Sequence, residues 1–129
     1  MPVYNVEKYI VQAIECILNQ TYSNFELLIC DDGSQDRTVE IIESYSDSRI
    51  KLFKNKANRG NLKTTNFLLQ QCKGDFITIQ DGDDYSVSNR FEIILNAFEK
   101  HPAIGMIGSN YMAVTFDDEP LFCGNLPLN

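Results

Sequence analysis

An α/β fold built around a mainly parallel sheet is the expectation, and three observations carry it. Short apolar runs at 25–30, 50–53 and 75–80 each read as a strand. The first and third empty directly into acidic, glycine-containing turns, as buried strands do where a sheet meets solvent. Between the runs apolar residues recur at helical spacing, so strand and helix alternate at the interval of parallel crossover units, which place ligands at the carboxyl ends of the strands.

Taken in order, residues 1–5 read as a strand end and a loop, with the strand's apolar body expected ahead of Met1; Pro2 is tolerated only near such an end. Val6, Ile10, Ala13, Ile14, Ile17 and Leu18 predict a helix over 6–20, with Asn5 as its cap and Glu7 complementing its dipole. The strand at 25–30 runs into Asp31-Asp32-Gly33-Ser34, and Val39, Ile41 and Ile42 stripe a helix over 36–45 that Ser34 or Asp36 is placed to cap. After the strand at 50–53 comes a polar connection over 55–61 and a helix through Leu68, Leu69 and Cys72. Gly74 punctuates, and 75–80 forms the clearest strand, ending in Asp81-Gly82-Asp83-Asp84. A helix over 88–100 stops ahead of Pro102, strands are expected at 104–107 and 112–116, and acidic loop character follows.

Composition narrows the function. A chain of 129 residues is one domain's worth of core. A formal charge of −7 disfavours nucleic acid, whose phosphates are gripped by lysine and arginine clusters. A bound nucleotide diphosphate would instead need a divalent cation held by carboxylates. Cys16, Cys30, Cys72 and Cys123 form no CxxC pair, and His101 is the only histidine, so no zinc site is expected. Reduced thiols, with Cys16 and Cys30 buried, fit a cytoplasmic setting. There is no apolar run of membrane-spanning length and no signal segment. GxGxxG, GxxxxGK[ST] and GxSxG are all missing. An EF-hand counted from Asp81 fails at Tyr85 and Ser86, where a ligand and a glycine are required. A phosphoryl-accepting receiver domain fails because no lysine follows Lys100. His101, at a helix end, is expected to meet the last carbonyls rather than a substrate.

The chemistry concentrates at the strand ends. If extended geometry persists, Asp81 and Asp83 face one side, and Gly82 between them leaves an open approach for a diphosphate or sugar. Two carboxylates plus phosphate oxygens suit Mg²⁺ or Mn²⁺; the plainer alternative is a solvated acidic turn. An acidic residue of the Asp31-Asp32-Gly33-Ser34 strand end is placed to accept a hydrogen bond from a base edge. Tyr4 is placed to stack on a base, or else to pack at the core edge.

Read together, Pro2-Val3-Tyr4-Asn5, Asn19-Gln20-Thr21, Phe25-Glu26-Leu27 into Asp31-Asp32-Gly33-Ser34-Gln35-Asp36, Asn58-Arg59-Gly60 and Gly74-Asp75-Phe76-Ile77 into Asp81-Gly82-Asp83-Asp84 resemble the family 2 glycosyltransferases over residues 1–90. The resemblance implies a Rossmann-like GT-A three-layer sandwich and a nucleotide-diphosphate sugar donor, most simply a UDP-sugar. It also implies a Mn²⁺ or Mg²⁺ ion and inverting transfer to a saccharide or lipid-linked acceptor in polysaccharide or glycolipid assembly. Residues 1–129 would be the nucleotide-sugar-binding half of one such domain, cut at both ends, with the acceptor half largely missing. The full-length protein would work in the cytoplasm or at the inner membrane face, with a homodimer left open.

Position by position, Pro2, Val3 and Tyr4 match the loop that packs on the base, and Asp32 the carboxylate that reads uracil. Asn58 and Gly60 match the Asn-x-Gly turn, and Asp81, Gly82 and Asp83 the DXD motif, in which Asp83 holds the metal and Asp81 lies near the ribose and sugar. Thr64-Thr65-Asn66 stands where the family often has Ala-Arg-Asn, so either a diphosphate contact is missing or Lys63 substitutes for it. Asp117, Asp118 and Glu119 come too early to match the family's catalytic base, so none is assigned.

Overall fold

A computed structural model describes residues 1–115, 117 and 119–124. They fall into two compact units, divided between Glu92 and Ile93.

The first unit holds a parallel sheet of β1 (Pro2–Val3), β2 (Leu27–Asp31) and β3 (Ile50–Lys54) in the order β1-β2-β3. Helix α1 (Ile10–Leu18) carries the chain from β1 to β2, α2 (Thr38–Glu43) from β2 to β3, and α3 (Asn61–Gln71) follows β3. The central strand β2 is buried along its length, and its period-2 alternation divides the core in two. Leu27 and Ile29 face Ile10, Ala13, Ile14 and Ile17 of α1 and Ile42 of α2. Leu28 and Cys30 face Leu68 of α3, with Phe53 and Phe67 stacked edge to face beside them. Helices on both faces of the sheet make three layers, and each fully buried aliphatic side chain contributes roughly 1.5–3 kcal/mol.

Several expectations shift. Helix α1 starts at Ile10 instead of residue 6, because Asn5 adopts a left-handed φ of 52° and bonds elsewhere instead of capping it. Asn5 N donates to Ser34 Oγ at 2.9 Å, while its Oδ1 accepts from Gln35 N at 2.8 Å. Val6 N donates to Thr38 Oγ1, Glu7 N to Asp36 Oδ2, and Arg37 N to Glu7 Oε2, so loop 5–7 is laced to loop 34–38. Helix α2 is shorter than 36–45, and Asp36 sits ahead of it, accepting from Thr38 N.

The strand expected at 75–80 forms no ladder among the described residues, and Phe76, Ile77 and Ile79 are each more than half exposed. A strand needs a partner's hydrogen-bonding groups; β1 has only two residues, and one is proline, which has no N–H. Instead, Arg90 Nη2 donates to Thr78 Oγ1 at 2.9 Å and to Ile79 O at 3.4 Å. All four cysteines are free, but only Cys30 is buried; Cys16 is half-buried at the rim of its helix.

Helix α4 (Arg90–Lys100) begins in the first unit and ends in the second, where His101 N closes it on Ala97 O and Phe98 O. The second unit also holds an antiparallel pair, β4 (Tyr111–Val114) and β5 (Pro120–Gly124), with Tyr111 and Phe122 in edge-to-face contact. No strand forms at 104–107, where Ile104 N turns back onto His101 O. β5 was expected to be loop. Phe116 and Asp118 lie outside the described residues.

Candidate functional site

Parallel strands bring their carboxyl ends to one edge, so Tyr4, Asp32 and Asn55, which follow β1, β2 and β3, emerge on a common rim. Backbone bonds continue the ladders one step into it: Asp32 N donates to Val3 O and Asn55 N to Asp31 O, both at 2.8 Å. Pro2 and Val3 are buried, while Tyr4 is 44% exposed.

The two aspartates ending β2 take opposite tasks. Asp31 accepts from Gly33 N and Ser34 N, both at 3.1 Å, folding its own turn. Asp32 reaches forward: Oδ1 accepts from Asn55 Nδ2 at 2.7 Å, both oxygens accept from Arg59 N at 3.0 Å, and Oδ2 accepts from Gly60 N at 2.8 Å. Burial pushes this carboxyl up, but hydrogen bonds from Asn55, Arg59, Thr64 and Gly60 outweigh it and hold Asp32 below the ordinary aspartate value. The side chain expected to face a base edge is therefore 3% exposed and already accepts from the Asn-x-Gly turn. A base would have to share oxygens that four protein contacts occupy. Asn58 Oδ1 accepts from Gly60 N inside the same turn, and Lys63 lies exposed in the first turn of α3. The 31–34 and 55–60 loops touch at Gly33, whose φ is 83°; a Cβ there would lie 2.9 Å from the Ala57 carbonyl carbon.

The Asp81–Asp84 segment also departs from expectation. Asp84 N donates to Asp81 O at 3.4 Å, closing a turn, so the extended alternation that would align Asp81 with Asp83 is lost. Gly82 is buried, and a Cβ on it would lie 2.7 Å from Val3 Cγ1 and 3.3 Å from Val6 Cγ2. Its missing side chain makes room for Val3, not for a ligand, and the same contact seats the turn beside the end of β1. Asp81 and Asp83 are exposed. Partial burial raises the Asp84 carboxyl above its usual range, and the charges of Asp83 and then Asp81 add to the rise. Among the described residues no three His, Cys, Asp or Glu side chains converge into a metal cluster. The donor set nevertheless suits a hard divalent ion: Asp81 and Asp83 offer exposed oxygen ligands, and phosphate oxygens would complete the shell.

Sequence reasoning missed the residues that frame this turn. Gln80 is 7% exposed, and its Oε1 accepts from Ser86 Oγ at 2.7 Å and from Arg90 Nη1 at 3.2 Å. Periodicity could not signal a buried glutamine at a turn; only the motif Asn19-Gln20-Thr21, noticed but given no task, pointed toward its neighbours.

Comparison with known proteins shows the family and the fold. The profile described as "Glycosyl transferase family 2" matches residues 1–120. Among curated proteins, the UDP-Glc:alpha-D-GlcNAc-diphosphoundecaprenol beta-1,3-glucosyltransferase WfgD of Escherichia coli is 39% identical over 109 residues, covering 84% of this chain and 43% of that protein. Among solved structures, S. aureus TarS 1–349 in complex with UDP-GlcNAc superposes with a TM-score of 0.74 at 30% identity, over 78% of this chain and 30% of that one. The mannosyltransferase PcManGT of Pyrobaculum calidifontis, in complex with GDP-Man and Mn²⁺, gives 0.68 at 25% identity, over 83% and 32%. The chain spans about two fifths of the length of the curated relatives it matches. No helix among the described residues is long and apolar enough to cross a membrane. With its sheet order, its laced rim loops and this match over nearly its whole length, the chain belongs to glycosyl transferase family 2 and carries the GT-A fold.

Proposed function

We propose that this chain supplies the nucleotide-sugar donor site of a metal-dependent, inverting glycosyltransferase. In this reading residues 1–129 are the donor half of one GT-A domain. The observation that carries it is the seating of an acidic turn on Val3, beside Tyr4 and the loop that Asp32 holds, at the carboxyl edge of a parallel sheet. Tyr4 offers the face on which a base stacks. Asn58, Gly60 and Lys63 lie on the stretch between β3 and the first turn of α3 and contact the diphosphate, while Asp83, with Asp81, holds Mn²⁺ or Mg²⁺. When bound, such an ion stabilises the negative charge of the departing diphosphate. Asp32 fixes the Asn-x-Gly turn and meets a base edge only by sharing its oxygens.

A UDP-sugar is the donor favoured, because the E. coli relative is named for UDP-Glc and TarS was solved with UDP-GlcNAc. That relative is also named for a diphosphoundecaprenol-linked sugar, which favours a lipid-linked acceptor and work at the inner membrane face. No residue of this chain is assigned as the base.

Calorimetry with UDP and GDP, with and without Mn²⁺, tests the reading. UDP binding is expected to require the ion and to weaken at least about tenfold in Asp83→Ala, the scale of losing one charged ligand. UDP binding indifferent to both the ion and that substitution would remove the metal assignment.

A further inference from the structure

The corner that ends α1 reaches across 67 to 71 positions of sequence to the segment that leaves the acidic turn. Gln20 is 6% exposed, and both ends of its amide are hydrogen-bonded. Nε2 donates to Val87 O at 2.8 Å and to Cys16 O at 3.0 Å, and Oε1 accepts from Phe91 N at 3.0 Å. Thr21 continues the seam: its N donates to Ser88 O at 2.8 Å and its Oγ1 to Glu92 Oε2 at 2.8 Å. One turn earlier, Ser86 N donates to Cys16 Sγ at 3.2 Å.

These bonds hold residues 86–92, and that segment in turn closes the base of the acidic turn. Ser86 Oγ donates to Gln80 Oε1, joining the residue before Asp81 to the second residue after Asp84. Arg90 Nη1 donates to both Gln80 Oε1 and Ser86 Oγ, and its Nη2 to Thr78 Oγ1. Gln20 thus fixes Val87 and Phe91, which flank Ser88 and Arg90 in sequence, and Ser86 and Arg90 pin both arms of the loop that displays Asp81 and Asp83.

We propose that Gln20 is a positioning residue for the donor site: its buried amide clamps residues 87–91 so that Asp81 and Asp83 are presented in one fixed arrangement to a cation and diphosphate. This rests on the donor-site reading above. The chemistry demands glutamine, since two carbonyls and one N–H converge on the side chain. Gln20→Glu keeps the shape and the bond from Phe91 N but sets a carboxylate oxygen against the carbonyls of Cys16 and Val87.

Two measurements on the chain test it. Amide exchange at Ser86 and Phe91 is expected to accelerate at least about tenfold in Gln20→Glu, while Ile29 in β2 stays at the wild-type rate, the pattern of a local opening. Calorimetry with UDP is expected to show the Mn²⁺-dependent affinity falling about tenfold. Thr21→Val, which removes only the exposed bond to Glu92, leaves folding intact and is expected to move both readings the same way by about twofold to threefold. Faster exchange throughout β2, or local opening with wild-type Mn²⁺-dependent affinity, overturns the positioning role. If the wild-type chain shows no ion-dependent UDP binding, the donor-site reading falls and takes the positioning role with it. Exchange at Ser86 and Phe91 still reads the clamp, so the two failures are told apart.

Discussion

Two aspartate-rich turns sit on the rim of the first unit, and the same side-chain chemistry does opposite things in them. Asp31 and Asp32 are both 3% exposed, and their oxygens accept from six protein groups, mostly backbone N–H. Asp81 and Asp83 are exposed, and their neighbour Asp84 is raised by burial and by their charges. Burial with full hydrogen bonding makes a carboxylate an architectural group, whereas exposure beside like charges leaves it ready for a cation. Composition alone ranks the two turns together; only the donors around them separate the roles.

Substituting the buried aspartate should break the first turn, whereas in the second turn the structural member is the glycine rather than the carboxylates. Asp32→Ala leaves Arg59 N, Gly60 N and the Asn55 amide without their acceptor, and urea unfolding should register a loss of about 2–4 kcal/mol. Gly82→Ala forces a Cβ into Val3, whose branched side chain has little freedom to yield, and the same assay should show a cost of about 1–3 kcal/mol.

The acid limb of stability sharpens the contrast. Asp32 is lower in the folded state than in the unfolded chain, so its stabilisation is fully present above the unfolded value near 4 and disappears as pH falls through the folded value. Asp32→Asn should flatten the fall of stability below about pH 4 by at most about 1.4 kcal/mol per pH unit, the slope of one proton. Asp47, drawn down to about 2 by Arg49, should keep part of that slope in the variant. Last and smallest, Asp81→Asn and Asp83→Ala should leave unfolding within about 0.5 kcal/mol of wild type while removing ion-dependent binding.

The inner frame was legible in the residues. An unbroken apolar run gave β2, and the 3.6 period gave the buried face of α1, because burial imposes those patterns directly. The rim was less legible. Asn5 looked like a helix cap, but its left-handed backbone and its bonds to residues 34 and 35 are long-range choices that no local window contains. Residues 75–80 carry a strand's composition without a ladder, since pairing depends on what a neighbouring strand offers. The Asp81–Asp84 motif was visible as a motif, yet its turn and the packing of Gly82 on Val3 were not. Gln20 was visible only as part of a resemblance; its three partners lie at positions 16, 87 and 91.

The lacing of residues 5–7 to 34–38 spans about thirty positions in every bond, and the clamp at Gln20 spans more than twice that. Contacts so distant along the chain close slowly and consolidate after the local helices. Lesions in this lacing should therefore mainly hasten unfolding and leave the refolding rate nearly untouched, making the rim the part of the protein whose lifetime, rather than whose formation, sets how long a working surface persists.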